Sequence, residues 1–317
     1  MFKFIRSPFL LPISAFSISG LSTQVFLFII PVWLYELTER RELVSFASVI
    51  STSSIVIFGI ISGVIIDRTS KKTITLFSSL AMLVLALFIL IVPIQNPLTL
   101  YLLLFLFVIC SRFNNNSQNT SMFLKFRKDD ELLVKYNSYT SFVFTGLGII
   151  YPLIGASLYK YYGIEGIAYV VIMGALITIF IYTNWKEETI NGKAEKTKSD
   201  GVFTLLWQGL NYSFKDKQIF KYLSIFSVII FGTAIFDAAA YIYIKEELGL
   251  GIQSFSHIIL AEAIGGVVKS LFIFPRLQKN KRISNDQIIH FGLLFSSICL
   301  VMFVFKFPIS YLLLLYD

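Results

Sequence analysis

From Ser7 to Tyr35 the chain carries no charged side chain. That uncharged run limits the fold more than any other feature. A helix of about 20 apolar residues, rising about 1.5 Å each, crosses the hydrocarbon of a bilayer. The pattern recurs. No residue between Glu42 and Asp67 is charged, and from Thr73 to Leu124 the only charge is Arg112. The second stretch is broken at Pro93-Ile-Gln-Asn-Pro97, which predicts two helices joined by a tight turn. Segments 136–159 and 166–185 supply two more spans, so six spans precede Lys186.

A polar segment, 186–221, follows. It opens on Lys186-Glu-Glu and reads as a linker. Within it, positions 202–214 carry apolar side chains at helical spacing with Trp207 and Tyr212, which fits either an interfacial helix or a plain loop. The segments 222–244, interrupted by Asp237, and 248–275, interrupted by Glu262 and Lys269, are the next spans, and 287–305 is a ninth. The apolar stretch 307–316 is half a span long. The expected organisation is a six-helix bundle over 1–185, a cytoplasmic linker over 186–221 and a partial second bundle of three to four helices over 222–317.

Composition agrees with a bilayer as solvent. The chain is 56% hydrophobic and 15% charged, with mean hydropathy +0.75, where a soluble domain carries about 25% charged residues. Lys3 and Arg6 ahead of an apolar run resemble a signal peptide. The run up to Tyr35 is longer than the apolar core of such a peptide, about 7–15 residues, and no small-residue cleavage site closes it. The segment reads as a retained first helix.

With the N-terminus in the cytoplasm, 20 Lys and Arg fall in cytoplasmic segments, five in outer loops, and two, Arg112 and Lys269, within spans. The positive-inside rule then places a multi-pass protein in the cell membrane, N-terminus cytoplasmic. The net charge of +8 is topogenic and implies no nucleic-acid partner. Cys110 and Cys299 lie far apart in apolar runs, and His257 and His290 sit toward opposite faces, so no metal site is expected. Nothing implies a cofactor. No His-x-x-x-His pair, Gly-x-Ser-x-Gly elbow or phosphate loop occurs, which argues against a membrane-embedded enzyme.

The most specific string lies between the second and third spans: Gly63-Val-Ile-Ile-Asp67-Arg68-Thr-Ser70-Lys71-Lys72. It resembles motif A of the major facilitator superfamily, Gly-x-x-x-Asp-Arg/Lys-x-Gly-Arg/Lys-Arg/Lys, with Ser70 where glycine is usual and a stiffer turn expected there. Gly63, with Gly59 four residues earlier, suits close helix packing. Gly148, Pro152 and Gly155 in the fifth span resemble a degenerate motif C of the antiporter branch, in which Pro152 would bend the helix. An ordinary proline kink gives the same residues without that meaning. The whole is similar to bacterial drug and macrolide efflux proteins.

The resemblance implies an all-α membrane fold in which helices one, four, seven and ten line a central cavity. Arg112, Asn115, Asn116 and Asn119 fall on one polar face of the fourth helix, and Gln24 sits mid-helix in the first. An intramembrane arginine costs about 2.5–3.5 kcal/mol on insertion scales, so it should face water or a partner. Asp237 and Glu262 lie about 10–15 Å deep. Burial penalises the charged carboxylate, which suits a group that loads and releases a proton. Structural ion pairs of either with Lys269 are the competing reading.

The function expected is secondary transport by alternating access, as a proton-coupled antiporter exporting small amphipathic molecules, with lipid, substrate and protons as partners. Uptake by the same fold is the alternative. In the family the motif A gate involves helix eleven, and the sequence stops inside a tenth apolar segment. The expectation on that count is a truncated remnant that does not transport alone.

Overall fold

The structure, a computed structural model, describes residues 10–126, 129–185 and 202–268. The linker stretch 186–201, the ninth span, the final apolar segment, Lys269, His290 and Cys299 lie outside that range. The described chain is helical throughout, with no strand among its residues: α1 Leu10–Thr38, α2 Arg41–Arg68, α3 Lys71–Ile91, α4 Pro97–Phe126, α5 Asp130–Thr183, α6 Val202–Lys215, α7 Lys217–Ile242 and α8 Ile252–Val268. Met1–Ala263 forms one compact unit and Ile264–Asp317 a second.

Local chemistry explains the helix ends. Glu42 stands in the first turn of α2 and Arg68 in its last, each on the favourable end of the helix dipole. Asp129 caps α5 by accepting from Leu132 N at 3.0 Å, and Asp216 caps α7 by accepting from Gln218 N and Ile219 N. Pro97 opens α4, where its missing N–H costs nothing, and Asn96 Oδ1 accepts from Leu98 N beside it. The turn expected at 93–97 is therefore where the structure puts it.

Helices α1 to α5 are long and apolar enough to cross a membrane. The fifth has 54 residues, about 80 Å of helix against about 30 Å of hydrocarbon. It reverses at Gly163, whose φ of 60° and ψ of −152° are open to glycine alone. The reversal brings Tyr136 and Tyr182, from opposite ends of α5, into one buried cluster with Met122, Phe126 and Trp185. The first arm (130–162) and second arm (164–183) thus supply the fifth and sixth passes.

Burial is inverted relative to a soluble protein. Phe77, Phe142 and Phe180 are exposed by more than 70%, as befits a surface meeting lipid. Ser19, Ser78, Ser117, Asn114 and Gln118 are buried. The main apolar core runs along α1, which packs most extensively on α5 and then on α4. The tightest approach is at Gly174, where a Cβ would overlap Ser22 Oγ and lie 3.3 Å from Ile18 O. No close approach of this kind occurs at Gly59 or Gly63: among the described residues a Cβ on either meets nothing within 4 Å. Sequence spacing marks both as small residues on one helix face, but α2 does not turn that face closely against a described neighbour.

The segment 202–214, read as helix or loop, is helical, and α6 carries Trp207, Tyr212 and Phe214 exposed.

Candidate functional site

Three features of the unit Met1–Ala263 bear on function: a buried polar node, a cavity beside it, and a set of contacts that runs from the cavity lining toward one end of α1.

The node is centred on Asn114 of α4, 1% exposed. Its Oδ1 accepts from Ser19 Oγ of α1 at 2.8 Å and from Gln118 Nε2. Its Nδ2 donates to Ser79 Oγ at 2.6 Å and Ser78 Oγ at 3.2 Å, both on α3. Thr75 and Ser117 join α3 to α4 again at 2.7 Å. Three helices are thereby held by one amide. The sequence reading missed Asn114 because it took the charged face of α4. The signal was present: Ser111, Asn114, Ser117, Gln118 and Ser121 recur at three and four residues, the period of a second polar stripe.

The cavity, about 290 Å³, lies between α1, α2, α4, the first arm of α5 and α8. Its polar lining is Gln24, Ser48, Ser51, Thr52 and Arg112. Phe28, Tyr151, Phe255 and Ile259 supply much of the apolar lining. Of the five residues expected to share a cavity, the structure brings Gln24 and Arg112 together in this one. Asn116 instead donates to Ser62 Oγ of α2 at 2.7 Å. Asn115 has a buried Oδ1 that meets no donor, and Asn119 is exposed. The Nε of Arg112 is likewise buried without an acceptor.

The residues resembling motif C flank this space. Pro152 is buried within a continuous stretch of α5, and Gly163 is the residue of α5 with non-helical dihedrals. A Cβ on Gly155 would come within 3.1 Å of the Phe28 ring, and one on Gly148 within 3.6 Å of Ala263 Cβ. Tyr151, between them, meets Phe28 edge-on at 5.9 Å.

A ladder of rings leads from the cavity toward the end where α1 gives way to α2. Phe28 of α1 stacks on Phe255 of α8 at 5.1 Å, Phe255 meets Tyr241 of α7 at 5.5 Å, and Tyr241 meets Tyr35 of α1 at 5.9 Å. The ladder ends on Glu246, to which Tyr35 donates at 2.8 Å and with which Arg41 of α2 forms an ion pair. Glu246 sits in a π-helical turn, Tyr243–Glu247, that continues α7. Such widened turns re-aim side chains and occur often at functional sites. Beside it, Tyr159 donates to Glu36 at 2.7 Å. The first six passes are thus joined to α7 and α8 at this end.

At the opposite end lies the 63–72 string. Ser70 caps α3 by accepting from Thr73 N at 3.2 Å, with φ of −59°, so no glycine is required where the family pattern has one. Lys71 is buried and donates to Asp67 O and Thr69 O, closing the end of α2. Lys72 donates to Thr183 O at 2.7 Å and Trp185 O at 3.0 Å, closing the second arm of α5. Lys125 lies 3.8 Å over the Trp185 ring. Asp67 and Arg68 are exposed. We call this end the basic face.

Helix α7 carries Asp237 and α8 carries Glu262, as expected, but their side chains lie outside the described residues. Among the described residues no three His, Cys, Asp or Glu side chains cluster as metal ligands would.

A family model, the Major Facilitator Superfamily, matches residues 13–316. A search among curated proteins returns no match.

Proposed function

The chain belongs to the major facilitator superfamily and is a multi-pass membrane transporter rather than an enzyme, and from that premise we propose that it exports small amphipathic molecules in exchange for protons, by alternating access across the cell membrane. The observation that carries the reading is the position of the cavity. It lies where α1, α2, α4 and α5 meet α8, and the Phe28-to-Glu246 ladder spans the same junction at one end. Pro31 lines the cavity and Tyr35 belongs to the ladder, a separation of one helical turn, about 6 Å. A cavity bordered by contacts across the junction of two helix groups is what rocking of one group on the other would expose and occlude.

Positive-inside asymmetry makes the basic face cytoplasmic. The ladder end then faces outward, and with that end closed the cavity would be loaded from the cytoplasm. Asp237 and Glu262 are the proposed proton-coupling groups. Their depth suits a carboxyl that gives up its proton only when the conformation changes its access to water.

Everted vesicles from cells expressing the full chain test this. Imposing an acid-inside proton gradient should drive uptake of an amphipathic fluorescent probe above vesicles lacking the chain. Asp237→Asn or Glu262→Gln should abolish the proton dependence. Accumulation in right-side-out vesicles instead would make the chain an uptake carrier. Equal signals with and without the chain would remove active efflux and leave the alternative expected from the sequence, a chain that does not transport alone.

A further inference from the structure

We infer that the cavity is built for an organic anion, an aromatic or aliphatic body bearing a carboxylate or similar group, with Arg112 as its charge partner. The inference rests on reading the cavity as the transport site, and it concerns which substrates that site accepts.

Arg112 is the one charged side chain among the described residues lining the cavity. No acidic side chain stands among those residues, and Arg112 makes no ion pair among the described residues. Its Nε is buried and meets no acceptor. Among the described residues that guanidinium has no counter-charge, and a cation in the membrane interior is costly until it is paired or hydrated. Arginine also presents a planar fork that matches a carboxylate or phosphate with two parallel hydrogen bonds.

The cavity also holds unspent hydrogen-bonding capacity among the described residues. Serine and threonine within these helices commonly return their hydroxyl to their own backbone. Ser54 does so to Ile50 O at 2.6 Å, Thr23 to Ser19 O and Thr120 to Asn116 O. Ser48, Ser51 and Thr52 make no such bond among the described residues, although they lie within two turns of Ser54 on the same helix. Gln24, facing them from α1, is also without a side-chain partner there. Three hydroxyls, one amide and one guanidinium therefore present donors toward one space.

The same cavity carries an aromatic lining. Phe28 and Phe255 stack at 5.1 Å, with Tyr151 edge-on to Phe28. A volume of about 290 Å³ lies just under the range of ligand sites, about 300 to 1,000 Å³, and suits a small ligand. Polar lining with a fixed positive charge and aromatic lining in one cavity describe a small amphiphile with a negative head.

Three probes that share a ring system and differ in charge isolate the claim: 2-naphthoate, its neutral amide 2-naphthamide, and the cation 2-naphthylmethylamine. Binding of tritiated 2-naphthoate to the full chain in nanodiscs is measured, with empty nanodiscs as the blank, and the other two compete. The acid should bind about tenfold or more tightly than the amide, and the amine should not compete. Arg112→Gln should weaken the acid by about tenfold or more and the amide by much less, and Arg112→Lys should recover part of the loss. Thermal unfolding of each variant confirms that it is folded. Equal binding of acid and amide, or undiminished acid binding in Arg112→Gln, overturns the inference. So does failure of the acid to bind the parent chain. If the amide or amine binds and is carried while the acid is not, the anion assignment fails and the transport reading stands. If a proton-driven flux of any probe is also absent, both fail.

Discussion

Tyr35 and Glu246 stand far apart in the sequence and are joined by a hydrogen bond of 2.8 Å. Arg41 reaches the same carboxylate from the start of α2. One acidic group on the π-turn after α7 is therefore gripped by two helices of the first bundle. Because Arg41 is largely exposed, its share is discounted for solvent screening. A double-mutant cycle with Arg41→Gln and Glu246→Gln should give a coupling of about 0.5–1 kcal/mol in unfolding free energy, shrinking with added salt. Strict additivity of the two single effects would show that the pair is incidental.

Asn114 joins partners on α1, α3 and α4 through one buried amide. Asn114→Leu is close in volume but leaves Ser19 and Gln118 with a lost acceptor in a dry interior. The expected loss is about 1–3 kcal/mol, read as a lower thermal midpoint in lipid. An unchanged midpoint would mean that the node is filled by water or repacks freely.

Two glycines carry geometric duties that differ in kind. Gly163 holds a backbone conformation closed to other residues, and a Cβ there would meet only open space. Gly163→Ala should therefore cost about 1–3 kcal/mol through the backbone alone. At Gly174 the backbone is ordinary and the space is missing. Gly174→Ala should cost a similar amount, about 1–3 kcal/mol, by forcing α1 away from α5. Ser22→Gly should rescue Gly174→Ala and leave Gly163→Ala unrelieved. Thermal unfolding of the two double variants separates the mechanisms.

Lys72 closes the carbonyl end of the second arm of α5 through Thr183 and Trp185. Lys72→Met keeps the stem and removes the donor, and about 1 kcal/mol of stability should go with it. Hydrogen exchange should rise locally over 180–185. No local change would assign the lysine to topology alone.

Much of the architecture was legible in the spacing of charges. A long uncharged run, such as Ser7 to Tyr35, has few folds open to it, so the six passes that end at Trp185 follow from the sequence. Lys71 and Lys72 were legible as a motif, but not as caps on α2 and α5, because capping depends on where helix ends meet in space. The cavity was half legible. Gln24 and Arg112 announce themselves as polar groups in apolar helices. Ser48, Ser51 and Thr52 do not, since serine and threonine ordinarily satisfy themselves on their own helix. The meeting of Glu246 with Arg41 was not legible, because it joins the π-turn after α7 to the start of α2, far apart in the chain.

A transporter of this kind needs a cavity that opens to one face at a time. Side-specific alkylation tests this most directly. Ser51→Cys, in a background with Cys110→Ser and Cys299→Ser, places a thiol on the cavity wall. A membrane-impermeant maleimide should label it in sealed vesicles from the basic face and not from the other. Glu246→Gln should raise labelling from the opposite face several-fold, because it loosens the ladder end and shifts the population. Equal labelling from both faces, unaltered by Glu246→Gln, would contradict the account.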